Sequence, residues 1–167
     1  VILIGGGVRL SKAVDEFLKL AMKLKIPCFP TWNALDVVTS DFEYYGGRIG
    51  TYGGPGRNFG IQNSDLVLAV GSRISGRLFG SRAKDFLRGA KKYLVDIDEP
   101  LTRRELQEVP FDVSIHYPAK DFLRILVKKA SEEKLPDFST WLERVKGWRE
   151  KYDPVRPEYY EEKGIAN

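Results

Sequence analysis

The sequence predicts an α/β fold built on an open, mostly parallel sheet. Three observations lead there. Short apolar runs occur without alternation, Val1-Ile2-Leu3-Ile4 and Leu66-Val67-Leu68-Ala69-Val70 being the clearest. Stretches of helical period lie between such runs, and glycines stand where the runs end. Runs apolar on both sides suit strands buried on both faces, as parallel strands are. Alternation with helices winds such a sheet right-handed and puts ligands beyond the carboxyl ends of its strands.

The first strand enters the turn Gly5-Gly6-Gly7. From Ser11 to Lys25, Val14, Phe17, Leu18, Ala21 and Leu24 recur at helical steps; Asp15 and Glu16 favour the helix start, and Pro27 stops it. Pro27 to Thr31 reads as a second strand and Asn33 to Val38 as a short helix or turn. A short helix carrying Asn58, Gln62 and Asn63 precedes the Leu66 strand. Tyr93 to Ile97 and Val113 to Ile115 read as further strands. Pro118 suits a first helical position, and Phe122, Leu123, Leu126 and Val127 put one apolar face on Ala119 to Lys129. After Ala130 the polar stretch Ser131 to Asp137 leads to a helix bearing Trp141, Val145 and Trp148. Prolines 154 and 157 and the end Gly164-Ile165-Ala166-Asn167 then read as a connector. The expected organisation is one domain over 1–130 and a helical connector over 131–167. With no initiator methionine, the chain is expected to continue at both ends.

With 167 residues, 43% hydrophobic and 30% charged, the composition is that of a globular domain, which excludes collagen-like and disordered classes. The apolar runs fall far short of the ~20 residues of a membrane helix, and neither a membrane span nor export is expected. Cys28 and His116 are single residues of their kinds, which excludes an internal disulfide and a Cys/His zinc set. A reducing, cytoplasmic location is expected. The net charge of +4 is local. Between Arg73 and Lys92 lie Arg73, Arg77, Arg82, Lys84, Arg88, Lys91 and Lys92, against the single acid Asp85. Beside glycine-rich loops such a segment suits a small polyanion rather than nucleic acid, the alternative being a solvated basic surface.

Gly5, Gly6 and Gly7, between strand and helix, could bring amides to a phosphate. Against G-x-G-x-x-G the third position falls on Leu10, and a ligand-free tight turn is the other reading. Six glycines lie between Gly46 and Gly56, permitting close approach of a flat or charged ligand or forming a mobile loop. Asn58, Gln62 and Asn63 read as braces of these turns. Arg73 and Arg77, after the Leu66 strand, suit phosphates. Asp96 and Asp98 end a later strand and suit ribose or adenine, Asp98 reading better as a cap. His116 reads as structural and Cys28 as a buried small hydrophobe. There is no Ser/His/Asp set, no G-x-x-x-x-G-K-[ST] loop and no catalytic constellation.

Taken in order, several landmarks resemble the central domain of thiamine-diphosphate-dependent enzymes of the acetolactate synthase type. They are Ile2-Leu3-Ile4-Gly5-Gly6-Gly7, Thr31-Trp32-Asn33-Ala34, Gly50-Thr51-Tyr52-Gly53, Asn58 to Leu66, Gly71-Ser72-Arg73, Val95-Asp96-Ile97-Asp98 and Ala119 to Leu123. The resemblance runs from Ile2 to about Leu126. It implies a Rossmann-like, DHS-like NAD/FAD-binding three-layer fold with a six-stranded sheet. In the full-length enzyme it implies thiamine diphosphate and magnesium held by flanking domains, a homodimer or homotetramer, and transferase or lyase chemistry on a 2-keto acid. In this domain it implies FAD or ADP, with Gly5, Gly6 and Gly7 near the dinucleotide and Thr31 and Trp32 along it. Gly50, Thr51, Tyr52 and Gly53 fall on the flavin side, Arg73 and Arg77 at the phosphates, and Asp96 and Ile97 at the adenosine.

Two departures stand out. Ser75-Gly76 replaces the acidic residue common between Arg73 and Arg77, and Pro118-Ala119 replaces the usual Asp-Ala. An acetolactate-synthase-like enzyme with another acceptor, a ligand-free scaffold and a free-standing NAD-dependent oxidoreductase are the alternatives.

Overall fold

The computed structural model describes residues 1–155 and 157–161. Five strands form one wholly parallel sheet: β1 (Ile2–Ile4), β2 (Cys28–Pro30), β3 (Leu66–Val70), β4 (Lys91–Asp96) and β5 (Val113–His116), in the order β2-β1-β3-β4-β5. The register aligns Ile4 with Val70 and Val70 with Val95, so the carboxyl ends of the central strands are flush. Between β1 and β3 the winding reverses, which opens a crevice above the sheet.

Alternate residues of each strand feed opposite faces. Ile2, Ile4, Cys28 and Val70 join a core with Phe17 and Leu20 of α2 (Val14–Leu24) and Leu123 of α6 (Ala119–Glu132). Leu3, Phe29, Val67 and Ala69 join a second core with Ile61 of α3 (Pro55–Gln62) and Val145 of α7 (Ser139–Lys151). Burial of Phe17 or Leu20 contributes about 1.5–3 kcal/mol each. Glu16 ties α2 to α6 through Lys120 and Arg124. Desolvation pushes its carboxyl up, but a backbone hydrogen bond, the Lys120 ammonium and the hydrogen bond from Arg124 together hold it below the usual range.

Several expectations are corrected. The sheet has five strands rather than six, and all are parallel. The segment nearest to a sixth, residues 44–46, makes one bridge with Cys28, whose N–H donates to Tyr44 O and whose carbonyl accepts from Gly46 N–H, both at 2.7 Å. Gly47, with φ +105°, turns the chain away before a second pair forms. Arg149 of α7 covers this edge: its guanidinium donates to Tyr45 O and lies 5.2 Å from the Tyr45 ring centroid.

The helix expected from Ser11 follows a separate α1 (Gly6–Leu10), split from it where Lys12 takes φ +54°. After β2, the short helix or turn expected over Asn33 to Val38 is a 3₁₀ turn, Trp32–Ala34, continued by turn residues. Pro118 is the residue before α6 rather than within it, and α6 runs on to Glu132, into the expected polar linker. Arg156 and Gly164-Ile165-Ala166-Asn167 of the expected connector lie outside the described residues. Among the described residues no helix is long and apolar enough to cross a membrane.

Cys28 is fully buried, and burial pushes its thiol up to about 12. His116 joins β5 to the end of β4, its Nε2 lying 2.9 Å from Ile97 O. The three amides brace turns. Asn58 holds both backbone groups of Gly50, Gln62 accepts from Leu87 N–H, and Asn63 donates to Phe59 O.

Candidate functional site

Above the carboxyl ends of β1 to β4 lies a crevice of about 860 Å³. The β1 turn brings Gly5, Gly6 and Gly7 to it, the β2 turn Thr31 and Trp32, and the β4 turn Asp96 and Ile97. Between them the β3 turn and the following α4 (Gly76–Phe79) bring Arg73 and Arg77. Tyr52 lines a side pocket of about 170 Å³ that shares Trp32 and Arg77 with the crevice. Gly50 and Thr51 line a shallow hollow of about 320 Å³ with Asn58 and Arg82, and the Thr51 N–H donates to Arg77 O at 2.9 Å. Gly53 serves its own turn, its N–H donating to Gly50 O.

The glycines of the β1 turn have a structural duty. The Gly5 N–H donates to Val70 O and the Gly7 N–H to Gly71 O, both at 2.9 Å. A Cβ on Gly5 would lie 1.9 Å from Gly71 O, so the β1 and β3 turns cross with no room for a side chain. Two amides that could have met a phosphate are thus committed to the neighbouring turn. Gly71 itself holds φ +59°, and its N–H donates to Val95 O, carrying the contact on to β4.

The charge of the site comes from side chains. Arg73 and Arg77 are exposed, and among the described residues neither forms an ion pair. Asp96 is 8% exposed, its Oδ1 accepting the Asp98 N–H at 3.0 Å, which holds the β4 turn around its carboxylate. Asp98 precedes α5 (Glu99–Thr102), although its side chain makes no capping bond. Arg9 of α1 pairs with Asp36 at 2.5 Å, and that hydrogen bond holds the Asp36 carboxyl below the usual range. Trp32 is 57% exposed and Ile97 69%, so flat and apolar surface faces the opening.

Sequence reasoning missed Arg48. Its guanidinium lies 5.2 Å from the Trp32 ring centroid, in the wall of the side pocket. The available signal was a cation standing among the glycines of residues 46–56. Two guanidinium groups, a carboxylate at the end of the neighbouring strand and an exposed indole three strand spacings from that carboxylate suit an elongated ligand with phosphates in its middle. These groups offer a ligand hydrogen bonds, positive charge and flat apolar surface.

Residues 1–126 match the family model for the thiamine pyrophosphate enzyme central domain. The probable acetolactate synthase large subunit of Methanocaldococcus jannaschii is 33% identical over 145 residues, covering 87% of this chain and 24% of that protein. The namesake from Methanococcus aeolicus is 32% identical over 164 residues, covering 93% and 27%. The acetolactate synthase large subunit of Corynebacterium glutamicum is 31% identical over 154 residues, covering 91% and 24%. The chain spans about a quarter of the length of these curated relatives.

Proposed function

The chain belongs to the thiamine pyrophosphate enzyme central domain family, and on that premise we propose that its crevice binds an adenine nucleotide diphosphate, FAD or ADP, within an acetolactate-synthase-like enzyme. The observation that carries this reading is the convergence of Arg73 and Arg77, neither ion-paired among the described residues, on the crevice where Asp96 and Trp32 mark opposite ends. The two guanidinium groups hold the diphosphate, matching its charge with planar donor forks. Asp96 accepts from ribose hydroxyls and Ile97 covers the adenine. Thr31, Trp32 and Tyr52 run along the other half of the ligand.

The reading extends to the whole protein as a proposal: decarboxylation of a 2-keto acid and transfer of its carbon unit to an acceptor, with thiamine diphosphate carrying the chemistry. Among the described residues no group of three or more His, Cys, Asp and Glu side chains is placed to hold a metal ion. We assign thiamine diphosphate and its magnesium to flanking domains, in a homodimer or homotetramer, and the crevice domain is a binding unit without turnover of its own.

The test is the visible absorbance of the purified chain before and after FAD loading and desalting, with ADP calorimetry beside it. Retained flavin or saturable ADP heat is the expected result. Changing Arg73 and Arg77 to alanine weakens binding by about tenfold or more, some 1.4 kcal/mol per decade. Failure of both ligands on the unchanged chain overturns the reading. It would favour a second one, a ligand-free spacer, for which the commitment of the Gly5 and Gly7 amides to the β3 turn speaks.

A further inference from the structure

The connection from β4 to β5 encloses a separate cavity of about 360 Å³ against the second core. Its floor is apolar, made by Leu94 of β4 with Val109 and Phe111, each no more than 2% exposed. Gln107 frames it. The Gln107 Nε2 donates to Leu101 O at 2.8 Å and to Ser114 Oγ at 2.9 Å, and its Oε1 accepts the Phe111 N–H at 3.0 Å, so one side chain ties the connection to itself and to β5. Ser72 and Arg73 line this cavity and the crevice alike, which makes the β3 turn a shared wall. Ser72 is 3% exposed, yet among the described residues neither its hydroxyl nor the Arg73 guanidinium has a hydrogen-bond or ion-pair partner. A hydroxyl so deeply placed and unsatisfied suits a polar atom brought by a ligand.

We propose that this cavity binds an apolar monocarboxylate of about ten non-hydrogen atoms, its chain on the apolar floor and its carboxylate on Arg73 and the Ser72 hydroxyl, in competition with the crevice ligand for Arg73. The cavity stands without the nucleotide reading above; the competition rests on it. An apolar floor beside a single planar cation suits a molecule with one anionic head and an apolar body. A neutral molecule gives Arg73 no charged acceptor. A dianion sets a second charge against Leu94 and Phe111, where it loses its water without gaining a partner. Glu108, the acid of the lining, is exposed, so water and salt screen it from a single carboxylate. One guanidinium fork cannot grip a carboxylate and a diphosphate together, so each ligand weakens the other by the same factor.

Calorimetry on the 167-residue chain with octanoate, with octanol, with suberate as the dicarboxylate of the same length, and with ADP tests this. Octanoate binds saturably, and octanol and suberate bind about tenfold more weakly or worse. Arg73→Met lowers octanoate affinity about tenfold. Leu106 is 59% exposed and lines the cavity but not the crevice. Leu106→Asp therefore lowers octanoate affinity about tenfold, while ADP affinity stays within about twofold and an unchanged urea transition shows the variant folded. Saturating ADP weakens octanoate about fivefold or more, and octanoate weakens ADP equally. No saturable octanoate binding, equal affinity for octanol, or full octanoate affinity in Leu106→Asp overturns the cavity and leaves the crevice reading untouched. Octanoate and ADP binding without mutual effect overturns the competition. Binding of octanoate by a chain that takes neither ADP nor FAD overturns the crevice reading and the competition with it, and leaves the cavity standing.

Discussion

In the first glycine run, Gly5 and Gly7 face backbone. A Cβ on Gly5 would lie 1.9 Å from Gly71 O, and one on Gly7 2.8 Å from Gly71 Cα. At the start of the second run the neighbours are side chains: a Cβ on Gly46 would lie 2.6 Å from the Phe29 ring, and one on Gly47 2.4 Å from Arg57 Cγ. Gly50, Gly53 and Gly56 are members of the second run that behave like the first, at 2.6 Å from Arg77 O, 2.6 Å from Arg48 O and 2.1 Å from Trp148 O by the same measure. Both runs invite the same reading as ligand loops, yet each is explained by the packing of the protein itself. The difference lies in what can yield: a β-sheet turn has nowhere to go, whereas a ring or an alkyl stem can shift at a cost.

The comparison breaks if the two kinds of glycine respond alike. Gly5→Ala should have the largest effect, about 3 kcal/mol or more, read as a large drop of the urea midpoint in a domain of ordinary stability. A well-folded Gly5→Ala protein would mean that the β1 and β3 turns can separate. Gly46→Ala should cost about 1–3 kcal/mol, and adding Phe29→Leu should recover part of it in a double-mutant cycle. Simple additivity of the two would show that the second run is as unyielding as the first.

Cys28 sharpens the comparison, because its backbone holds both bonds to residues 44–46. Burial raises its thiol from 9.0 to about 12, so the folded chain keeps a proton that the unfolded chain releases. Stability from this group is full below pH 9.0 and is lost as the pH rises toward 12. By about pH 10 the loss should be on the order of 1 kcal/mol in urea midpoints, and Cys28→Ala should flatten the slope. Thiol labelling of Cys28 at a rate insensitive to urea would mean that the second run opens on its own while the first stays shut.

The strands were legible because a parallel sheet buried on both faces demands unbroken apolar runs, and Ile2–Ile4 and Leu66–Val70 supply them. The crevice was legible because chain reversal places it at the strand ends, where Arg73 and Asp96 were expected. The break after α1 was not, since Lys12 adopts φ +54° without the glycine that usually marks such a turn. Leu87 is a similar case: it holds φ +57° while fully buried, its N–H fixed by Gln62, a partner distant in sequence. The glycines misled because sequence shows that a side chain is missing but not which atoms fill its place. Arg48 was missed because its role arises from contact with Trp32 across a fold that local pattern does not encode.

β1 sits between β2 and β3, and that position sets a timetable for synthesis. Its partner Cys28–Pro30 follows soon, but Leu66–Val70 comes more than sixty residues after β1. At roughly 5–20 residues per second, the ribosome needs about 3–13 s to deliver it. Through that interval the most apolar strand of the sheet has one unpaired edge, so the earliest strand of this sheet waits for its second partner. The growing chain is most open to chaperones, and to neighbouring nascent chains, at the place where the finished domain is most tightly packed.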